Sequence, residues 1–421
     1  MFKKTTLKSG LRIIAVPQKG TQAVTVLILV ATGSKYETKK ISGISHFLEH
    51  MFFKGTKKRT DKLEIAETLD KIGGIYNAFT GEEYTGYFAK VACSQFDLAL
   101  DWVSDIFLNS ILPEKEVQRE KGVIIEEINM INDNPMAYVE ILWNRLLYGD
   151  QPAGWDIAGT KESINNMTRQ DLMNYMKSQY VASNTIICVA GNIKTQQVIE
   201  KIKRAFAPIS AVQFLQKPKV VERQTLPECL IYQKETDQTH LALGVRTYNL
   251  SHPQRFTQDI LGIILGGMMS SRLFMEVRER LGLAYYVKTE VSANPDTGFL
   301  MTRAGVDNKN VEKAIITIIK EYKKISQKAV PIPELKKAKE YIKGKLALIL
   351  EPSDALASFY GEQELLKKEI LTPKEIYAKI DEVSSRDILA VAKDIFQSKK
   401  LNLALIGPFK DKNKFQKLLK L

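Results

Sequence analysis

The chain has only four histidines, and two of them, His46 and His50, stand four residues apart in "ISHFLEHMFF" with Glu49 between them. Residues four apart share one face of a helix, so both imidazoles can reach a single cation. Glu49 lies beside that face and can hold a water against the ion without being a ligand. Two histidines, one carboxylate and a water form a common catalytic zinc shell. Such an ion lowers the pKa of its water towards ~7 and polarises a carbonyl. Glu49 would take the water's proton and pass it to a leaving amine.

The order His-x-x-Glu-His is the inverted form of a zinc-peptidase signature. With this composition it arises by chance in roughly one chain in 250, which favours chemistry over accident. The third ligand must come from elsewhere, and "EKGVIIEEINMI" offers it. On a helix Glu127 shares a face with Ile124, Ile128 and Ile131, whereas Glu126 points about 100° away. A carboxylate on an apolar stripe is costly unless paired or metal-bound, so Glu127 is the better ligand. Glu120, nearly two turns earlier on that face, can orient a histidine.

The elements that must position these groups are legible in outline. "TTLKSGLRIIAV" reads as a hairpin turning at Ser9-Gly10, and "TVLILVATG" as a buried strand. Residues 42–53 have helical periodicity ending before Gly55. "TDKLEIAETLDKI" is a second helix, followed by strands "IYNAFT" and "YTGYFAKVA". Helices are expected over 95–108 and 113–131, the latter ended by Asn134-Pro135. A helix near 170–180, the strand "NTIICVAGNI" and a helix over 195–206 complete the first half. "APISAVQFLQKPKVVERQTLPE" has three prolines and no period, and reads as a linker. Beyond it the order repeats: "THLALGVRT" echoes "TVLILVATG", and "LALIGPF" echoes "IICVAGNI". The expected domains are 1–208, a linker over 209–226, and 227–421. The second half has "QDILGIILGG" where the first has its histidines, so only the first keeps metal chemistry.

Length and composition agree. The 421 residues suit two domains of about 200, and 44% hydrophobic with 26% charged residues is globular. The net charge of +13 is scattered, which points to a solvated lysine coat. Cys93, Cys188 and Cys229 are too dispersed for a disulfide framework or zinc clip, so a reducing compartment is favoured. "IIAV" is too short for a signal peptide and "VTVLILVA" too short to span a bilayer. The expectation is a cytoplasmic protein with no membrane partner.

At these residues the sequence resembles the pitrilysin and insulin-degrading enzyme family of zinc metallopeptidases. "GISHFLEHMFFKGT" resembles its signature block. The 76 residues between His50 and Glu127 match its spacing to the third ligand, and Glu120 matches its supporting glutamate. "GGIYNAFTGEEYTGYF" resembles the family's edge strand, which adds substrate as a further strand. The resemblance implies substrate-binding roles for Asn77, Ala78 and Phe79; Phe53 is either a pocket-lining or a plain core residue. "MMSSRLFMEVRERLGLAYYV" resembles a second block, implying that Arg278 and Tyr285 hold substrate carbonyls and stabilise the oxyanion. The implied fold is α+β, two homologous domains, each an antiparallel-rich sheet with packed helices. One Zn2+ per chain is implied. Because this chain has both residue sets, a homodimer enclosing a chamber for peptides or unfolded polypeptides is implied. Mitochondrial processing relatives read an arginine with acids after the zinc glutamate; here that stretch holds Asp133 and Glu140, neither of which has a clear counterpart among those acids, so a general peptidase is the expectation.

Three functions compete. A zinc endopeptidase requires His46, Glu49, His50 and Glu127, all present. A non-catalytic peptide-binding or assembly subunit of the same fold would usually have lost them. A nucleic-acid-binding protein has only the charge in its favour and lacks a basic helix or stacking block.

Overall fold

Stretches rich in Val, Ile and Leu assemble into two mixed sheets in the computed structural model, which describes residues 2–421. The first contains β1 (Lys3–Thr6), β2 (Arg12–Pro17), β3 (Ala23–Val30), β4 (Ile75–Thr80), β5 (Thr85–Ala92) and β6 (Thr185–Gly191), in the order β1-β2-β6-β3-β5-β4. The second contains β7 (Glu228–Gln233), β8 (Gln238–Arg246), β9 (Ala284–Ala293), β10 (Gly298–Asp307) and β11 (Leu401–Gly407), in the order β7-β11-β8-β10-β9. Apart from β1 the two orders are the same. Among the described residues, the one parallel pair in each sheet joins the first of the common strands to the last, β2 to β6 and β7 to β11. The strand echoes in the sequence therefore mark equivalent positions: β3 with β8, and β6 with β11. This is the expected α+β architecture of two like halves.

The central strands β3 and β6 are buried almost throughout, because both faces of the sheet are covered. One face of the first sheet packs on Phe47, Leu48, Met51 and Trp102. The other packs on Ala357, Tyr360 and Leu365 of the helix Ser353–Lys367.

Residues 209–226 carry no helix or strand, yet the compact units are not consecutive in the chain. One is Met1–Asn129, Trp155–Pro218 and Leu348–Ile370; the other is Met130–Gly154, Lys219–Ala347 and Leu371–Leu421. The helix Ser353–Lys367, encoded in the second half, thus covers the first sheet. It is fixed there by Thr25 to Ser353 (2.8 Å), Lys90 to Asp354 (2.7 Å) and Lys4 to Glu364 (2.6 Å). Reciprocally, the helix Pro135–Tyr148, encoded in the first half, packs Val139, Leu142 and Trp143 on Ala242, Met301 and Ala404 of the second sheet. Asn134-Pro135 serves two purposes. It ends the preceding helix and starts this one, with the Asn134 side chain accepting from the N–H groups of Met136 and Ala137 and proline in the first turn.

Close approach of the helix Ser353–Lys367 depends on Gly361, where a Cβ would lie 2.7 Å from Leu29 Cδ1. Gly361→Leu is expected to overpack this face and destabilise the chain by about 1–3 kcal/mol, read as a lower urea midpoint.

Candidate metal centre

The sequence "ISHFLEHM" forms the helix Ile44–Met51, which buries Ile44, Phe47, Leu48 and Met51. His46, Glu49 and His50 are left half-buried on the other side. An eight-residue helix is too short to hold itself, so its ends are anchored by the fold. At its C-terminal end Phe52 stacks on Tyr87 at 4.9 Å and lies 5.2 Å from Tyr180. At its N-terminal end Gly43 occupies φ +92°, and a Cβ there would sit 2.6 Å from the Ala158 carbonyl oxygen. Gly43 has no side chain to cap the helix. The buried Glu37 carboxylate does so instead, accepting from the N–H groups of Gly43 (2.7 Å) and Ser45 (2.9 Å).

The long helix Glu114–Asp133 brings Glu127, but not the exposed Glu126, to the imidazoles. His46 Nε2 and His50 Nε2 are 3.2 Å apart, and Glu127 Oε2 is 3.5 Å from each. Ligands on a tetrahedral ion with bonds of about 2.0–2.1 Å stand about 3.3–3.4 Å apart. Two nitrogens and one carboxylate at this spacing fit a divalent transition metal with a fourth position left for water.

The surroundings prepare each donor. Glu120 Oε1 lies 3.1 Å from His50 Nδ1, and its Oε2 is 2.8 Å from Lys54 Nζ. With Nδ1–H donating to Glu120, His50 turns the lone pair of Nε2 inward. Burial pulls the His50 pKa down, but the Glu120 hydrogen bond and the Glu127 charge outweigh it and the net shift is upward. His46 Nδ1 is buried without a hydrogen-bond partner. Burial, aided by His50, holds this imidazole at a pKa of about 4, so it is neutral and can donate a lone pair. Burial raises the pKa of Glu49, while Thr80 donates to its Oε2 at 2.6 Å.

Asn77, Ala78 and Phe79 lie on β4, an edge strand of the first sheet. The Gly81 N–H donates to the Tyr84 carbonyl. Antiparallel alternation then turns the backbone groups of Phe79 and Asn77 towards β5, and those of Ala78 towards the open edge. The Ala78 N–H is engaged by Asn77 Oδ1 at 2.9 Å. The Phe79 ring packs over Gly86 and against Tyr84, at 6.0 Å between centroids. Phe53 borders a cavity of about 260 Å³ with Ile65, Ala66, Tyr76 and Asn77. In the second unit, the Arg278 guanidinium lies 4.8 Å from the Phe274 ring centre and 5.9 Å from that of Tyr285. Tyr285, at the start of β9, is 77% exposed, so its hydroxyl is open to a ligand.

Thr80, Lys54 and Glu37 were not anticipated. Lys54 alone carried a usable signal, four residues after His50 on the continuing turn. Thr80 and Glu37 act through tertiary contacts that leave no local pattern.

Residues 12–161 match the family model of insulinase (peptidase family M16), and residues 166–342 match the peptidase M16 inactive domain. The uncharacterized zinc protease YmxG of Bacillus subtilis is 37% identical, over 97% of this chain and 98% of its own. This chain belongs to peptidase family M16. An uncharacterized zinc protease of Rickettsia felis is 33% identical, over 97% of this chain and 98% of its own. The M16 fold is shared with the crystal structure of a protease from Helicobacter pylori, with TM-score 0.90 and 24% identity over 97% of this chain and 99% of that one. The stretch matched by the inactive-domain model, residues 166–342, lies wholly beyond the histidine motif and Glu127.

Glu120→Gln should weaken divalent-metal binding by about 10–100-fold, because His50 loses the acceptor that fixes its ring. Competition with a chromogenic chelator measures this.

Proposed function

We propose that this M16 metallopeptidase is a zinc-dependent endopeptidase acting on peptides or unfolded polypeptides. The observation that carries the reading is the convergence of His46 Nε2, His50 Nε2 and Glu127 Oε2 to within 3.2–3.5 Å of one another. These three side chains would hold one zinc ion per chain, which when bound acidifies a water and polarises a carbonyl.

The chain's own residues do the rest. Glu49 serves as general base: Thr80 occupies its Oε2, leaving Oε1 to receive the proton and later deliver it to the departing amine. Its raised pKa suits it to carry that proton between the two steps. Glu120 and Lys54 keep His50 oriented. The open edge of β4 pairs with an extended substrate backbone, which selects for chain conformation rather than sequence. Asn77 Oδ1 holds the place of that strand at Ala78 N–H and swings away when substrate pairs. Phe79, its backbone turned to β5 and its ring packed over Gly86, shapes the edge without pairing with substrate itself. Phe53 and its cavity receive an apolar side chain. Arg278 and Tyr285 hold the substrate carbonyl and the oxyanion.

A chain with both residue sets is proposed to act as a homodimer enclosing its substrate. Three free cysteines, two of them buried, support a reducing, cytoplasmic setting. Among the described residues no helix is long and apolar enough to cross a membrane. A non-catalytic assembly role is the second reading, prompted by the inactive-domain match, but that match is confined to residues 166–342.

The purified protein is expected to bind zinc and to cleave a quenched fluorescent peptide, with cleavage lost on chelation and restored by zinc. Glu49→Gln should keep zinc and lower turnover by about 100-fold or more; undiminished turnover removes Glu49 as the base. Arg278→Ala and Tyr285→Phe should lower turnover without releasing zinc, and zinc loss in either would assign them elsewhere.

A further inference from the structure

The turn that follows β3, Gly33–Glu37, makes two buried contacts in two directions. Glu37 reaches the N-terminus of the metal-binding helix, as described above. Its neighbours on that side are hydroxyls: Ser45 Oγ is 3.0 Å from Tyr175 OH, which is 2.8 Å from Thr32 Oγ1. Lys35 reaches the other way. Its side chain is 1% exposed, and its ammonium lies 3.0 Å from Glu83 Oε1 and 3.2 Å from Glu82 Oε2. Both glutamates belong to the turn joining β4 to β5.

The backbone follows the same path. Ser34 N–H donates to the Gly81 carbonyl at 3.3 Å, and Lys35 N–H to the Glu82 carbonyl at 3.0 Å. A Cβ on Gly33 would lie 2.2 Å from the Gly81 oxygen, so this approach requires glycine. Lys217 completes the group, 2.6 and 2.7 Å from the two oxygens of Glu83. A lysine this deeply buried is costly unless fully paired. The pairing therefore ties the β4–β5 turn closely to residues 33–35. Thr80, which holds Glu49, is the residue immediately before that turn.

We propose that Gly33–Glu37 is a positioning turn with two separable tasks: Glu37 fixes the helix that bears His46 and His50, and Lys35 fixes the edge strand that bears Thr80 and receives substrate. The proposal rests on the metallopeptidase reading. Neither residue touches substrate or reacting atoms. Without the Glu37 carboxylate the N–H groups of Gly43 and Ser45 lose their acceptor, and Gly43 cannot be exchanged for a capping residue. The helix then loosens at Ser45, next to His46, and the loss appears in metal affinity. Without the Lys35 ammonium the β4–β5 turn loosens, and Thr80 and Ala78 move with it. The metal ligands are untouched, so the loss appears in catalysis at full metal occupancy.

The test uses the full chain with Glu37→Gln and Lys35→Met, each checked for folding by circular dichroism. Zinc affinity is measured by chelator competition, and kcat/KM on a quenched peptide at saturating zinc. Glu37→Gln is expected to weaken zinc binding by about 10–100-fold and to cleave normally once zinc is saturating. Lys35→Met is expected to bind zinc as the wild type does and to lose about 10–100-fold in kcat/KM. Should either fail to fold, Glu37→Asp, with the charge one methylene short, and Lys35→Met with Glu83→Gln, which removes the opposing charge, are read in the same assays. Folded variants that lose both properties together, or neither, overturn the two-task turn. A wild-type chain that neither binds zinc nor cleaves overturns the peptidase reading and the turn with it.

Discussion

Three atoms carrying lone pairs, two imidazole nitrogens and a carboxylate oxygen, are held within 3.5 Å of one another. Such atoms repel unless a positive charge lies among them. The rest of the first unit can be understood as the framework that keeps them together. The helix bearing two of the donors has eight residues and a glycine at its start, so it cannot define its own position. It is held by the apolar side it buries, by the aromatic group under Phe52 and by the Glu37 carboxylate. The third donor stands on a helix of 20 residues, long enough to be rigid across the centre. Short and long helix meet at His50, where Glu120 of one holds the imidazole of the other.

The second unit repeats the strand order without the chemistry. At the position of the motif helix it has Arg255–Gly262, which runs into a widened turn over Ile263–Gly267 and carries no histidine. The strand equivalent to β4 is β9, and it begins with Ala284 and the exposed Tyr285. Duplication has thus supplied two edge strands in equivalent places, one beside metal donors and one beside a guanidinium and a phenol. Glu140, one of two acids considered as a reader of basic substrates, forms an ion pair with Arg303, whose other arm reaches Glu290 at 3.0 Å. With its charge met within the chain, Glu140 gives no reason to expect a preference for arginine.

Much of the centre was legible because helical period converts spacing into geometry. His46 and His50 share a face by arithmetic, and Glu127 differs from Glu126 by one residue's rotation. The duplication was legible because buried central strands such as β3 and β8 keep their apolar runs. What escaped were facts that depend on partners distant in sequence. An apolar stripe announces that the helices Pro135–Tyr148 and Ser353–Lys367 are buried, not which sheet buries them. Asn134-Pro135 read as a stop, although the same pair is a good helix start. Thr80 meets Glu49 across 31 residues of chain, through a hairpin whose placement only the sheet decides. Nothing local marks Glu37 as finding free N–H groups or Lys35 as meeting two carboxylates.

The exchange of helices has a consequence for synthesis. The outer face of the first sheet, with Ile14, Leu27, Leu29, Ile186 and Cys188, is covered by residues 353–367. A nascent chain has made all six strands of that sheet by residue 191 but must wait for more than a third of its length before the cover emerges from the ribosome. Until then a broad oily surface stays wet, a state that attracts chaperones and invites clumping.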